Sequence, residues 1–313
     1  MGVGGTPSGD RGSAHASPVS QGMRRERTSM EYSEREYEVL FDKESAQGSL
    51  RQGVSLYRTS TVTAGQTREI DIYPIWDNRK AAHVAKLERA KHREAQRKVD
   101  RRNAQKKLRR LINENFTAGD ILITNTYAPG MDPADEAAAQ RQMQNYIRRI
   151  KRLREKRGLP EMKYVYVTEV THSEARGTRY HHHMIMSGGI DREEVERLWK
   201  GGHSNSRTAR PDRDWLSGFA HYMTKNKETQ EKALQRGWCC SKNLRKPQLT
   251  HADHKVSIRK AERIARQMED EGRKILEQVN PGYELTEIIV RHSQYAPGVY
   301  IYARMIKKNA LRE

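Results

Sequence analysis

The stretch from Tyr164 to Met186 reads YVYVTEVTHSEARGTRYHHHMIM, and the way it divides into strands decides the fold. Tyr164 to Val170 is rich in β-branched and aromatic residues, and Arg179 to Ser187 forms a second such run that Gly188 and Gly189 terminate. The polar connection from His172 to Gly177 is short, so the two runs are expected to pair as an antiparallel hairpin. Alternate side chains of a strand share a face, which puts His181 and His183 together and turns His182 away. Glu169, on the preceding strand, can reach the face that carries the pair. Two imidazoles and one carboxylate leave open positions on a divalent ion, the pattern of a catalytic rather than a closed structural site. The competing reading gives the triplet packing roles alone.

On the N-terminal side of the hairpin, Ile121 to Tyr127 is a β-branched run closed by Pro129 and Gly130, and reads as another strand. Asp132 and Pro133 predict a helix start, and Met143, Tyr146, Ile147, Ile150 and Leu153 follow at three- and four-residue spacing until Gly158 and Pro160. On the C-terminal side, Asp191 is expected to cap a short helix through Trp199, and Trp215 to Lys227 to form another. The order strand, helix, strand, strand, helix predicts an α+β protein with a ferredoxin-like antiparallel sheet, not a doubly wound parallel one. Val256, Ala261, Ile264, Ala265, Met268, Ile275 and Val279 mark a further long helix, and Val299 to Ala303 a late strand.

In the helix predicted from Trp215, Leu216, Phe219, Ala220 and Met223 form an apolar stripe, and Tyr222 and Lys225 sit three apart on a neighbouring face. A phenol can act as a nucleophile that forms a covalent intermediate, and an adjacent ammonium can neutralise a phosphate oxygen. The plainer alternative is a half-buried tyrosine beside a surface lysine.

Charge sets the partner class. The 313 residues carry 59 Lys and Arg against 40 Asp and Glu, a net of +19, which calls for an anionic partner, most commonly nucleic acid. Residues 1–65 hold eight basic and eight acidic residues and are Gly-, Ser- and Pro-rich near the start, so they are expected to form a disordered tail. Between 79 and 110 there are 14 basic and 3 acidic residues, net +11, with no Gly or Pro. This run predicts a long basic helix with Arg101, Arg102, Lys106, Lys107, Arg109 and Arg110 as candidate DNA contacts, within a basic extension covering 66–118. Solvation alone is the other reading of that run. A domain over 119–305 and a basic tail over 306–313 complete the expected organisation. No apolar run approaches the roughly 18 residues needed to span a bilayer, so no membrane partner is expected. Cys239 and Cys240 are adjacent, which suits neither a disulfide framework nor a four-ligand zinc site. A structural zinc site would have to recruit them with His203 and the triplet. The absence of a visible leader and the cysteine usage lead to the expectation of a cytoplasmic protein.

Taken together, these residues resemble the HUH endonuclease superfamily, and within it the rolling-circle replication initiators (Rep proteins) of plasmids, phages and prophages. Ile121 to Tyr127 resembles the first motif, a hydrophobic strand ending in Thr and an aromatic. Arg179 to Met186 resembles the histidine, hydrophobic, histidine metal motif, and Tyr222-Met223-Thr224-Lys225 the Tyr-x-x-Lys motif. Ser241 to Pro247 resembles a segment that follows the tyrosine helix in phage-type members, which adds Lys242, Arg245 and Lys246 to the candidate DNA contacts. The resemblance covers about 119–248 and weakens towards 305. It departs from the pattern at His182, which stands where an apolar residue is usual, so a relaxase-like three-histidine site is conceivable. The tyrosine follows the histidines, as in Rep proteins and single-tyrosine transposases and unlike relaxases.

What the resemblance implies is a single-tyrosine enzyme that nicks and rejoins single-stranded DNA at a replication origin. Glu169, His181 and His183 would hold Mn²⁺ or Mg²⁺, Tyr222 would form a 5′-phosphotyrosine, and Lys225 would position the phosphate. Without a G-x-x-x-x-G-K-[ST] motif, unwinding would fall to a host helicase and extension to a host polymerase, and no small-molecule cofactor is needed. The alternatives are an HUH transposase or relaxase, and a non-catalytic basic nucleic-acid-binding protein.

Overall fold

The computed structural model describes residues 39–40, 53–76, 93–173, 177–225, 237–292 and 298–311, and within these elements the side chains of 39–40, 93–101, 172–173, 177 and 224–225 are outside the description. The hairpin forms as the sequence predicts. Tyr164–Ser173 (β5) and Gly177–Met186 (β6) pair antiparallel with Glu169 opposite His181 and Val167 opposite His183. Ile121–Tyr127 (β4) lies on the other side of β6, and Gly202–Thr208 (β7) pairs with β4 as an edge strand. With Cys239–Cys240 (β8) beside β5, the spatial order is β7-β4-β6-β5-β8, and every pairing is antiparallel.

Glu136–Lys156 (α2) and Arg192–Arg197 (α3) cover one face of this sheet. Ala139, Met143, Tyr146, Ile147 and Ile150 of α2 bury their stripe against Ile121, Ile123, Tyr166, Met184 and Met186, the alternate residues of the three strands. The cap of α2 is Asp135, whose carboxylate accepts the Ala138 N–H at 2.6 Å, and not Asp132 as expected from the Asp-Pro pair. The other face is covered by Arg93–Asn115 (α1) and Ser217–Lys225 (α4), through Leu108, Ile112, Leu216, Ala220 and Met223 packed on Leu122, Val165, Val167 and Ile185.

A second antiparallel sheet corrects the expected organisation. Val54–Ala64 (β2) and Thr67–Trp76 (β3) form its centre, flanked by Gln248–Asp253 (β9) on one side and by Val299–Lys307 (β11) and Tyr283–His292 (β10) on the other, with Val39–Leu40 (β1) at the edge. The tail assigned to 1–65 therefore ends in an 11-residue strand, because Thr- and Val-rich Val54–Ala64 has an apolar face to bury that charge neutrality conceals. Residues 67–76 are strand rather than helical extension, and the predicted helix over 79–92 lies outside the described residues. The late strand at Val299 belongs to this second sheet, so 119–305 is not one sheet domain. Nor is 306–313 a plain basic tail, since Ile306 and Lys307 complete β11 and Ile306 is buried.

The single helix expected over Val256 to Val279 is three pieces, Ile258–Arg266 (α5), a π-turn at Met268–Gly272 and Arg273–Gln278 (α6). The Gly272 N–H donates to the Gln267 carbonyl five residues back, which shifts the apolar stripe and breaks the period. The helix carrying Tyr222 begins at Ser217, since Trp215 at φ +59° is not helical.

α1 joins the two sheets. Its Asn113 amide donates to Thr67 Oγ1 on β3 and to Ser217 Oγ on α4, each at 3.2 Å. The β2–β3 turn lies so close to α1 that a Cβ on Gly65, at φ +58°, would strike the Asn113 carbonyl.

Candidate active site

β6 carries the three histidines to opposite environments. His182 is fully buried on the α2 side, where its Nε2 lies 2.8 Å from Tyr127 Oη and its Nδ1 2.9 Å from Thr168 Oγ1. Tyr127 and Trp199 meet its ring edge-on at 5.6 and 5.8 Å. Burial, reinforced by the neighbouring His183 and His181, pushes its pKa down to about 3, so His182 is a neutral core residue. This position thus holds an imidazole whose two nitrogens are both satisfied.

His183 faces the other way. Its Nε2 is 3.3 Å from Glu169 Oε2 and its Nδ1 3.2 Å from Thr124 Oγ1 on β4. With the proton on Nε2 the ring donates to the carboxylate and accepts from the Thr124 hydroxyl. Glu169 and His183 are both buried. His181 is half-buried on the same face, with Nε2 3.4 Å from Thr171 Oγ1. Burial and the neighbouring His183 lower its pKa, with Glu169 opposing, which favours the neutral ring.

Tyr222 completes this face. The buried Ala220 and Met223 hold α4 on the sheet, and the Tyr222 ring meets His183 edge-on at 4.9 Å while staying 50% exposed. Trp215 Nε1 donates to the Phe116 carbonyl at 3.1 Å, which fixes the start of α4 against the end of α1. The side chain of Lys225 lies outside the described residues.

The donor types on this face suit a divalent ion: two imidazole nitrogens and a carboxylate oxygen on neighbouring strands. Glu169 and His183 contact each other directly, and among the described residues no group of three or more His, Cys, Asp or Glu is drawn together closely enough to hold a metal.

Three of the six cations predicted on α1 are engaged. Arg109 Nε and Arg110 Nε each lie 2.8 Å from one oxygen of the buried Glu69, and Lys106 Nζ is 3.3 Å from Asp71. Arg109 also donates to Tyr302 Oη at 2.6 Å, and Lys106 sits over the Tyr302 ring at 4.4 Å. These three serve the contact between α1 and β3, which corrects the expectation of a helix free to track phosphates. The Arg102 Nε is buried with no hydrogen-bond partner among the described residues, and the side chain of Arg101 lies outside them. Lys107, Lys242 and Lys246 are exposed, and the exposed Arg245 pairs with Glu114 at 3.4 Å. The backbone of Arg245 is laced to the side chain of Asn115, which docks the segment after the tyrosine helix on the end of α1.

Residues 120–227 match the family model described as Replication-associated protein ORF2/G2P. The matched stretch runs from β4 to the described end of α4, and so includes Thr124, Glu169, the histidine triplet and Tyr222. It supports a replication-associated protein of Rep type. No curated protein and no solved structure matches the chain.

Sequence reasoning missed two features of this face. Thr124 was visible as the middle of the alternate residues Leu122, Thr124 and Thr126, but only pairing with β6 puts it on His183. β7 was not foreseen because Gly202–Thr208 is polar, and its His203, Asn205 and Arg207 extend the same face opposite Thr126, Thr124 and Leu122.

Proposed function

We propose that this protein initiates replication by nicking and rejoining one DNA strand, with Tyr222 as nucleophile on the Glu169–His183 face. The observation that carries the proposal is the meeting of Tyr222 with His183 at 4.9 Å, His183 being in turn 3.3 Å from Glu169. A phenol, an imidazole and a carboxylate from three separate elements thus converge beside open solvent. The path β4, α2, β5, β6, α3, β7 with strands ordered β7-β4-β6-β5 supports the ferredoxin-like, HUH-type reading of the fold.

In the proposed reaction the Tyr222 oxygen attacks the scissile phosphorus in line and the P–O3′ bond breaks. The phenolic proton is lost to the site or solvent, and the departing 3′ oxygen gains one. The phosphodiester energy is kept in the 5′-phosphotyrosine, so a 3′-OH can reverse the step without ATP. The buried Glu169 orients His183, and His183 holds the edge of the Tyr222 ring towards the substrate. Glu169, His181 and His183 would hold the divalent ion, Mn²⁺ or Mg²⁺, which polarises the phosphate and stabilises charge on its oxygens when bound. Lys225, one turn beyond Tyr222, would neutralise the phosphate. Host helicase and polymerase would supply unwinding and extension.

The test incubates the full chain with single-stranded origin oligonucleotide and Mn²⁺ and measures the covalent protein–DNA adduct. Tyr222→Phe is expected to lower adduct formation at least about a thousandfold, as loss of an enzymatic nucleophile does. An undiminished adduct would show that the nucleophile lies elsewhere. Binding without cleavage in the wild type would favour the non-catalytic reading.

A further inference from the structure

The same sheet face carries a second polar feature, one strand repeat from His183. A cleft of about 540 Å³ is lined by Arg192, Arg207, Arg210, Leu216 and Phe219, with Asp212 at its edge. Its floor begins at Leu122, two residues along β4 from Thr124, a separation of about 7 Å in an extended strand. Its far wall is α4, whose Phe219 precedes Tyr222 by three residues, or about 4.5 Å along the helix axis. The cleft and the candidate nucleophile are therefore held by the same two elements.

Three guanidiniums face one carboxylate in this cleft. Arg192 is anchored, since its Nη1 donates to the Ser206 carbonyl at 2.8 Å and pins the start of α3 to β7. Arg207 and Arg210 are exposed, and neither forms an ion pair among the described residues, in contrast to Arg109 and Arg110. Asp212 accepts the Asp214 N–H at 2.8 Å, which commits one of its oxygens to the turn before α4. Phe219 is half-buried and offers part of an aromatic surface beside the guanidiniums. Planar cations for phosphate, beside an aromatic side chain against which a base can lie, are the combination that holds single-stranded nucleic acid.

The geometry points to this cleft as a subsite for the DNA strand next to the scissile phosphate. Arg207 and Arg210 bind backbone phosphate, Arg192 supports them, and Phe219 receives the adjoining base or sugar. The inference deepens the strand-nicking reading and rests on it for the placement of the scissile bond.

The experiment titrates the full-length protein with a fluorescein-labelled oligothymidylate over a range of salt concentrations, and in parallel measures adduct formation on the origin oligonucleotide. Arg207→Ala/Arg210→Ala is expected to weaken oligothymidylate binding about tenfold or more and to lower the salt slope by about 1.4, the loss of two single-strand phosphate contacts. Arg207→Lys/Arg210→Lys is expected to restore the slope. Both arginines are exposed, so matching unfolding curves are expected and exclude a folding loss. Unchanged affinity and slope in the alanine variant, with cleavage intact, would overturn the subsite and leave the nicking reading standing. Arginine-dependent binding with no adduct from the wild type would support the subsite and overturn the nicking reading. Inorganic phosphate, titrated by calorimetry at matched ionic strength, distinguishes a free-anion site: heat abolished by the alanine variant while oligothymidylate binding is unchanged would also overturn the proposal.

Discussion

Arg109 and Arg110 on α1 meet Glu69 of the six-stranded sheet at 2.8 Å, whereas Arg207 and Arg210 at the edge of the five-stranded sheet are exposed and form no ion pair among the described residues. The two regions carry the same residue type and opposite roles. What separates them is the strand opposite: β3 presents Glu69 and Asp71 to α1, while β4 sets Leu122 opposite Arg207, and the outer edge of β7 is held at Ser206 by Arg192 and Glu196 of α3. A cation buried beside a carboxylate stabilises the contact between elements and is lost to phosphate, whereas an exposed, unpaired one is available to it. The histidines repeat the contrast within one strand, with His182 enclosed and satisfied and His183 beside the exposed Tyr222.

The strongest way to break this comparison is Glu69→Gln. Removing the carboxylate leaves the largely buried Arg109 without its ion-pair partner and Arg110 with Asp71 alone at 3.5 Å, at an expected cost of about 3–5 kcal/mol in urea unfolding. Stability unchanged within error would mean that the α1 cluster is no clamp. The same group sets a pH dependence. Burial raises the Glu69 carboxyl, but Arg109 and Arg110 together outweigh it and hold the pKa below the ordinary 4.5. A depressed folded pKa stabilises the fold above the unfolded value, so this contribution is present above about pH 4.5 and is lost as the pH falls below it. The wild-type urea midpoint should drop through that range more steeply than that of Glu69→Gln.

Next in size, the paired histidines should part company. His183→Ala is expected to lower adduct formation about a hundredfold or more at temperatures where the variant is folded, the scale of a well-placed polar group next to the reacting phosphate. His182→Leu should instead cost about 2–4 kcal/mol of stability by stranding the Tyr127 and Thr168 hydroxyls, with activity retained in the folded fraction. Reversal of these two outcomes would exchange the faces. The smallest effect is expected from Lys107→Ala on α1, with stability within about 0.5 kcal/mol and an unchanged salt slope. A drop in slope of about 0.7, one phosphate contact, would restore α1 to the DNA-contacting surface.

The hairpin and the split of the triplet were legible because a strand's period of two is a local property: residues 164–186 carry the alternation in full, and the structure pairs Glu169 with His181 as that alternation demands. Tyr222 was legible as the exposed member of an amphipathic helix. Other elements escaped for reasons that are also physical. β7 has no apolar alternation, since an edge strand needs little, and β9 has six exposed residues with nothing to bury. β2 and β3 pair with each other across the turn at Gly65 but were hidden by the balanced charge of 1–65, while their outer partners β9 and β11 lie far along the chain and leave no local trace.

The sequence by itself determined which side chains share a face and which run is rich in cations, because strand and helix periods are set by the backbone and charge is set by composition. Only the tertiary structure decided which faces meet. It brought α4 onto β6, so that Tyr222 reached His183, and laid β3 against α1, so that Glu69 engaged Arg109 and Arg110. It also left Arg207 and Arg210 open beside the site. Contacts of that kind depend on packing between elements distant in the chain, and packing is a property of the whole fold rather than of any one segment.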